Sequence, residues 1–241
     1  MKIKLLLCLL FIFAFSSVSF AQSVKVTPGK ITYKRPKPIV DFKKSFTVIY
    51  PKISGLTPAL NKKVETAVSY ERNFHFNLKE EINEIQWLEE ASYKVDYNKN
   101  GILGVTLTMS GTGAYPSVYD KPVIVNLKNG NKIQPADVFI KLNELAAKAK
   151  KAQQNEIKKA LIEIKKEYPD EESPVDFFQN ADFTAENLKE FTVSDKGVTF
   201  WYDYGFPHVA QALQPEGRYF FSWAELKPFI KRGGLLAQFV R

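Results

Sequence analysis

A single cysteine, Cys8, is the feature that most constrains how this chain can fold. Cys8 lies inside a strongly apolar stretch near the amino terminus, and residues 9–241 contain no other cysteine. If that stretch is removed as an export signal, the mature chain has no disulfide, no thiolate metal ligand and no cysteine nucleophile. An exported protein of this kind depends on its hydrophobic core alone. The 241 residues, of which 45% are apolar, are enough to form such a core.

The amino terminus is typical of a signal peptide. Two lysines precede an uncharged run, Leu5–Phe15, and Ser19 and Ala21 are the small residues that a signal peptidase accepts. We predict a signal peptide over residues 1–21, cleaved after Ala21, and a protein that is periplasmic or secreted, with no stable membrane insertion after cleavage. The alternative is an uncleaved anchor, because residues 5–23 carry no charge and a bilayer span needs roughly 20 residues.

The basic charge of the chain is concentrated near the amino terminus. Residues 22–44 hold seven lysines and arginines and one acidic residue, Asp41, whereas residues 45–241 hold 25 basic and 25 acidic side chains. A nucleic-acid-binding domain should carry its surplus on the folded body, so no nucleic-acid partner is expected. We interpret residues 22–41 as a basic extended arm that keeps the protein soluble; attraction to an anionic envelope polymer is the alternative.

Hydrophobic periodicity predicts an α+β fold. Apolar residues at three- and four-residue steps predict a long helix over about 58–86, begun by a Thr57 cap, and a second over about 137–166. Short alternating runs joined by turns predict hairpins around Asn98–Gly101 and Asp195–Gly197. We therefore predict a mainly antiparallel sheet with a long N-terminal helix and a second long helix packed on it.

The predicted domain organisation is simple. The folded module covers residues 42–232, and residues 233–241 form a C-terminal tail. A division of the module into two subdomains, 42–130 and 131–232, is left open.

Motifs for catalysis and for cofactors are almost absent. The chain has two histidines, His75 and His208, and no second histidine lies at helical zinc-ligand spacing from either. Phosphate-binding loops, dinucleotide fingerprints and nucleophile elbows are missing from the sequence. We predict no catalytic residue, no metal site and no cofactor. Two carboxylates that converge in space could still hydrolyse a glycan, and Asp203 is the first to consider.

Two aromatic-rich segments, residues 111–119 and 201–208, are the candidate binding sites. Loops seldom keep aromatic residues, and tyrosine and tryptophan give rigid contact area suited to recognition. The alternative is that half of each segment packs into the core while the glycines and prolines turn the chain. The predicted binding residues are Tyr115, Tyr119, Tyr204, Phe206 and His208.

Several loose motifs, in a fixed order, resemble the extracytoplasmic module of RsiV-type anti-sigma factors and PdaC-type peptidoglycan deacetylases. The motifs are Tyr93-x-Val95-x-Tyr97-Asn98, Gly113-Ala114-Tyr115-Pro116, Asn126-Leu127-x-x-Gly130-x-x-Ile133, Asp137-Val138-Phe139, Phe191-Thr192-Val193, Gly197-Val198-x-Phe200, and Phe221-Ser222-Trp223-x-x-Leu226-x-Pro228-Phe229. The resemblance spans roughly residues 42–232. Much of this family is a domain of unknown function.

The resemblance implies an α+β fold outside the cytoplasm and, from the RsiV-type proteins, binding of lysozyme. It does not carry over deacetylation, because His75 and His208 cannot form the H-x-x-x-H metal motif that those enzymes use. We therefore expect an exported, non-catalytic binding module of the bacterial envelope that recognises a protein such as a lysozyme-like cell-wall hydrolase. One alternative is a module that binds peptidoglycan or another anionic glycan, and a second is a carboxylate-dependent glycan hydrolase. An aromatic groove lined with amides would favour the first alternative, and a carboxylate pair in an open cleft the second.

Overall fold

A computed structural model describes residues 23–169 and 175–240. The predicted signal peptide, with Cys8 and the cleavage position after Ala21, lies outside these residues. Within the described ranges, no helix is both long enough and apolar enough to cross a membrane.

In the described part of the chain, nine strands form two sheets. The strands are β1 Lys25–Lys34, β2 Ser45–Ser54, β3 Leu88–Lys99, β4 Ile102–Thr112, β5 Pro116–Asn126, β6 Asn131–Lys132, β7 Phe191–Val193, β8 Gly197–Trp201 and β9 Arg218–Ser222. The larger sheet has the order β1-β2-β3-β4-β5-β6, and the smaller sheet has the order β7-β8-β9. Neighbouring strands are antiparallel except β2 and β3, which pair in parallel through Thr47 with Glu90 and Val48 with Ala91. The larger sheet is therefore mixed.

Within residues 23–169 and 175–240, six α-helices and one π-helical turn accompany the sheets. They are α1 Pro58–Ala67, α2 Tyr70–Phe74, α3 Leu78–Glu80, the π-helical turn Glu81–Ile85, α4 Pro135–Val138, α5 Leu142–Glu167 and α6 Trp223–Leu226. The α+β class agrees with the prediction, but the predicted long N-terminal helix is wrong. Only α5 is long.

The region predicted as one helix, residues 58–86, breaks because polar side chains satisfy the backbone at the breaks. The side chain of Thr57 accepts from the Leu60 amide and begins α1, as predicted. Ser69 is extended, and the side-chain amide of buried Asn73 donates to Ala67 O and Ser69 O, at 2.9 and 2.8 Å. His75 has a φ of 53° and ends α2. The apolar spacing persists across the breaks because successive short helices face the same core.

Helix α5 starts later than the predicted 137–166 helix. Phe139 is extended and forms a bridge with Ile230, and Lys141 has a φ of 53°, so the chain leaves helical geometry between α4 and α5. Leu145, Ala146 and Ala149 of α5 then pack in the core that also contains the smaller sheet.

Residues predicted as a solvated basic arm form an edge strand of the larger sheet. β1 pairs with β2 over its whole length, from Lys25 opposite Ser54 to Lys34 opposite Ser45. Arg35 follows β1 and is buried; its guanidinium donates to Glu81 Oε1 at 2.6 Å and to Leu88 O at 2.7 Å. These contacts satisfy a buried charge, which would otherwise be costly.

The larger sheet separates two hydrophobic cores. Leu103, Val105 and Leu107 of β4 lie in the core beneath α1 and α2. Ile102 of β4 and Ile124 of β5 lie in the other core, together with the smaller sheet and α5. The two sheets are therefore joined by a shared core, and the space left between their edges forms a cleft.

Candidate functional site

An open cleft of about 760 Å³ lies where the two sheets meet. It is lined by residues 73–87 of the helical region, by 118–122 of β5, and by the end of β8 with the loop that leads into β9. A volume of this size is in the range of small-molecule sites. We take this cleft as the candidate functional site.

β5 can line the cleft because most of its outer edge has no partner strand. β6 pairs with β5 only at Val125 and Asn126. The Ile133 amide donates to Ile124 O, so the backbone polar groups of Ile124 point to the outer edge of the sheet. Because this direction alternates along a strand, the carbonyl of Pro122 points the same way. Proline has no backbone N–H, so Pro122 leaves no unpaired donor at this edge and discourages pairing with another strand.

Trp87 and Tyr119 form an aromatic pair at one side of the cleft. Their ring centroids are 5.4 Å apart, with an interplanar angle of 52°. The indole N–H of Trp87 donates to Ser117 Oγ at 3.0 Å, which fixes the orientation of the indole. Tyr119 is 54% exposed, so its ring is available to a ligand.

Trp201 and Arg218 form the opposite side, as cross-strand neighbours of β8 and β9. The Arg218 guanidinium carbon lies 3.7 Å from the centroid of the Trp201 ring, a cation–π contact. Arg218 Nη1 donates only to the backbone carbonyls of Glu216 and Gly217, and Arg218 has no ion pair among the described residues. Burial lowers the pKa of the guanidinium, and the nearby carboxylates of Asp120 and Glu216 act in the opposite direction.

Most carboxylates of the cleft already have partners. Glu81 pairs with Arg35, and Glu190 pairs with Lys121 at 2.6 Å. Three other carboxylates accept hydrogen bonds. Asp120 Oδ1 accepts from Thr108 Oγ1 at 2.6 Å, and Glu80 Oε1 accepts from Asn77 Nδ2 at 2.6 Å. Asp203 Oδ1 accepts from the Gly205 amide at 2.9 Å and from Gln214 Nε2 at 3.3 Å. Within the described ranges, no group of three histidine, cysteine or acidic side chains could hold a metal ion.

Two of the predicted binding residues meet across the two aromatic segments. Tyr115, at the tip of the β4–β5 hairpin, stacks on His208 with ring centroids 4.3 Å apart and an interplanar angle of 15°. Both side chains are exposed. His208 begins the 3-10 turn His208–Leu213, which also carries the cleft residue Gln211. The stack therefore links two parts of the cleft rim.

Two other predicted binding residues face inward. Phe206 is only 7% exposed and packs on Phe177 and Phe178, at centroid distances of 5.0 Å. The Tyr204 hydroxyl donates to Glu156 Oε2 of α5 at 2.8 Å. Of the five predicted residues, the structure places Tyr119 in the cleft, Tyr115 and His208 at its rim, and Tyr204 and Phe206 in the packing beneath.

Glu156 holds the second aromatic segment against α5. Its Oε2 accepts from both Tyr204 and Tyr219, whose hydroxyl oxygens are 2.8 Å apart, and its Oε1 accepts from the Gly217 amide at 3.1 Å. Burial raises the pKa of both tyrosine hydroxyls, and the Glu156 carboxylate adds to the increase. Both hydroxyls are therefore neutral donors at physiological pH.

Several cleft residues were not predicted from the sequence. Trp201 lies in the second aromatic segment but was not chosen, and Trp87 precedes β3 without any local signal of exposure. The amide side chains of Asn77, Gln211 and Gln214 also line the cleft. These residues lie far apart in the sequence, and nothing in the sequence indicates that they converge.

The comparisons with known proteins concern the fold. A crystal structure of a DUF3298 family member from Bacteroides fragilis superposes with a TM-score of 0.53 at 10% identity, covering 91% of this chain and 100% of that chain. A DUF3298 family protein from Pseudomonas aeruginosa gives a TM-score of 0.51 at 13% identity, covering 88% of this chain and 96% of that chain. These likenesses show the fold. No family model matches the chain, and no curated protein matches its sequence.

Proposed function

We propose that this protein is an exported, non-catalytic binding module of the bacterial cell envelope, and that its cleft binds a glycan such as a peptidoglycan strand. One observation supports this most directly: the Trp87–Tyr119 pair, Trp201 and several amide side chains all line the same cleft. This is the aromatic, amide-lined groove that favours a glycan over a flat protein partner.

The aromatic rings and the amide side chains of the cleft are both suited to binding sugars. The flat faces of tryptophan and tyrosine pack against the apolar face of a pyranose ring, and their polar edges remain free to bond. Amides of Asn77, Gln211 and Gln214 offer both donors and acceptors, which match hydroxyl groups. Arg218 lies near the carboxylates of Asp120 and Glu216 without an ion pair to them among the described residues, and its guanidinium can donate to sugar hydroxyl groups.

The partners of three cleft carboxylates, Glu81, Glu190 and Asp203, support binding over hydrolysis. A glycoside hydrolase needs two carboxyl groups that flank the scissile bond, one to donate a proton and one to act as base or nucleophile. Glu81 and Glu190 are held in ion pairs, and Asp203 accepts hydrogen bonds that shape its own loop. Their partners give these groups a structural role.

The rim of the cleft favours a second candidate, a protein ligand. Tyr115, Val118 and Tyr119 are each more than half exposed along one hairpin. Exposed aromatic and aliphatic side chains that cluster in this way are common in protein interfaces. With the resemblance to RsiV-type modules, this rim supports a lysozyme-like cell-wall hydrolase as the alternative ligand.

Sedimentation with insoluble peptidoglycan, together with titration by soluble peptidoglycan fragments, tests the proposal. Trp87 and Trp201 line the cleft, whereas the third tryptophan, Trp223, is buried in the core, so tryptophan fluorescence should change on binding. We expect Tyr119→Ala to weaken binding about tenfold, the effect of losing an interface anchor. Phe220→Ala is the matched control, because Phe220 is 50% exposed and lies outside the cleft.

Other results would point elsewhere. Binding to a lysozyme-type hydrolase that Tyr115→Ala abolishes, with no retention on peptidoglycan, would support the protein ligand. Release of new reducing ends from the fragments would indicate a hydrolase. Equal retention of the Tyr119→Ala and wild-type proteins on peptidoglycan would remove the cleft from the proposal.

A further inference from the structure

A second concavity, of about 720 Å³, shares the residue Asn73 with the cleft described above. It is lined by one face of α1, by Arg72 and Asn73 of α2, and by the turn that carries Lys132 and leads to α4. We name it the basic pocket. Its residues were not singled out by the sequence, because each belongs to a different local element.

The pocket contains four cations and one carboxylate. Lys62, Lys63, Arg72 and Lys132 line it, with Asp137 as the acidic residue. None of the four cations forms an ion pair with a carboxylate among residues 23–169 and 175–240. Asp137 is occupied, because its Oδ2 accepts from the Gln134 amide at 2.8 Å.

Lys132 is held in place at this pocket. It is half-buried, and its Nζ donates to Asn73 Oδ1 at 3.2 Å. Asn73 is itself buried, and its side-chain amide is committed to two backbone carbonyls at the helix break. The ammonium group is therefore positioned by a neutral acceptor and retains two further protons to donate. Burial lowers the pKa of Lys132, Arg72 adds to that effect, and Glu190, which is paired with Lys121, opposes it.

Gly130 brings the opposite wall close. It has a φ of 71°, and a Cβ at this position would lie 3.0 Å from Lys63 Cγ and 3.0 Å from Leu60 Cδ1. The turn therefore packs directly on α1, which places Lys63 beside the turn that carries Lys132. Like charges gathered in this way repel one another unless an anion lies between them.

We propose that the basic pocket is a binding site for a phosphate-type oxyanion, either free phosphate or a phosphodiester of an anionic polymer. Lys132 supplies the positioned donor at the inner end of the pocket. Arg72 supplies a planar guanidinium that can bond two oxygens of one phosphate. Lys62 and Lys63 supply exposed positive charge at the mouth.

Titration with inorganic phosphate, against sodium chloride at equal ionic strength, tests the site. We expect phosphate to raise the melting temperature more than chloride does, and to shift the backbone amide resonances of residues 130–132. Lys132→Gln should weaken the phosphate affinity about tenfold, as expected for one charge-assisted hydrogen bond. Lys158→Gln is the matched control, because Lys158 is an exposed lysine of α5 that lies outside the pocket.

Two further arms complete the test. If Lys132→Gln does not fold, the Lys62→Gln/Lys63→Gln double variant, on the exposed face of α1, should still weaken phosphate binding severalfold. Long-chain polyphosphate separates the two sources: affinity well above that of phosphate indicates a polymer that spans the cations, and equal affinity per phosphate indicates the free ion. Either result supports the site. Identical effects of phosphate and chloride, or equal losses in Lys132→Gln and Lys158→Gln, would overturn it.

Discussion

Residues 111–119 project from the tip of the β4–β5 hairpin, whereas residues 201–208 turn back against α5. Both segments are rich in aromatic residues, glycine and proline. Tyr115 and Tyr119 are more than half exposed, but Phe206 is 7% exposed and Tyr204 bonds to Glu156. Aromatic composition alone therefore does not distinguish a recognition surface from a packed connection.

The difference between the segments comes from what surrounds them. The second segment has a carboxylate partner on a neighbouring helix and two phenylalanines, Phe177 and Phe178, that close over Phe206. The first segment contacts Trp87 through Tyr119 and His208 through Tyr115, and these contacts leave both tyrosines more than half exposed. A Cβ at Gly111 would lie 2.1 Å from Trp87 O, so glycine is required for the close approach of β3 and β4 at this end of the sheet. Long-range partners decide which aromatic residues stay exposed.

Truncating Phe206 should have the largest effect on stability. Phe206→Ala removes a buried ring from a cluster of aromatic contacts and leaves a cavity, so we expect the free energy of unfolding to fall by about 3–5 kcal/mol. Denaturant unfolding measures this, with Phe220→Ala as an exposed control that should cost less than about 1 kcal/mol. If the two variants unfold alike, the second segment is not packed and the comparison fails.

Removing the charge that anchors the second segment should have the next largest effect. In Glu156→Gln the amide N–H₂ cannot accept from Tyr204, Tyr219 and Gly217 as the carboxylate does. We expect a loss of about 1–3 kcal/mol in the free energy of unfolding, because hydrogen bonds to a charged group are replaced by weaker ones. Glu163→Gln, an exposed change on the same helix, is the control. An unchanged melting temperature for Glu156→Gln would contradict the conclusion that Glu156 holds the second segment against α5.

Alkaline pH should affect the two segments differently. Burial raises the pKa of Tyr204 and Tyr219 in the folded protein above the unfolded value of about 10. The folded state then binds more protons than the unfolded state at high pH. The stabilisation is complete below pH 10 and is lost as the pH rises above it. We expect the free energy of unfolding, measured between pH 8 and 11, to fall less steeply with pH in Tyr204→Phe than in Tyr115→Phe, which alters an exposed ring. Parallel curves for the two variants would contradict this.

Local elements of the fold could be predicted from sequence, but their assembly could not. The hairpin turn at Asn98–Gly101 is present, with φ values of 57° for Asn100 and 75° for Gly101. Such turns depend on a few adjacent residues. The break after Ala67 depends on the Asn73 side chain, and apolar spacing does not report it.

The basic residues near the amino terminus illustrate the same limit. Charge counting treats Arg35 and Lys43 as solvated, yet both are buried. Arg35 bonds to Glu81, 46 residues away, and Lys43 Nζ donates to Trp87 O and Thr112 O. Lys62, Lys63 and Lys132 gather in the basic pocket, although they belong to a stretch of sequence whose overall charge is balanced. Net charge by segment cannot separate buried, paired cations from free ones.

The smallest expected effect on stability concerns the stack at the rim. Tyr115→Ala removes an exposed ring from His208 at 4.3 Å, and such aromatic pairs contribute about 0.5–1.5 kcal/mol. We expect the free energy of unfolding to fall by no more than about 1 kcal/mol, because Tyr115 is 57% exposed and leaves no cavity.

His208→Ala should cost the same, and the double variant should cost little more than either single variant, since both remove one contact. Ligand binding, by contrast, should weaken about tenfold in Tyr115→Ala if the rim contacts the ligand. A loss of stability as large as that of Phe206→Ala would instead place the first segment in the core, and the contrast between the two segments would disappear.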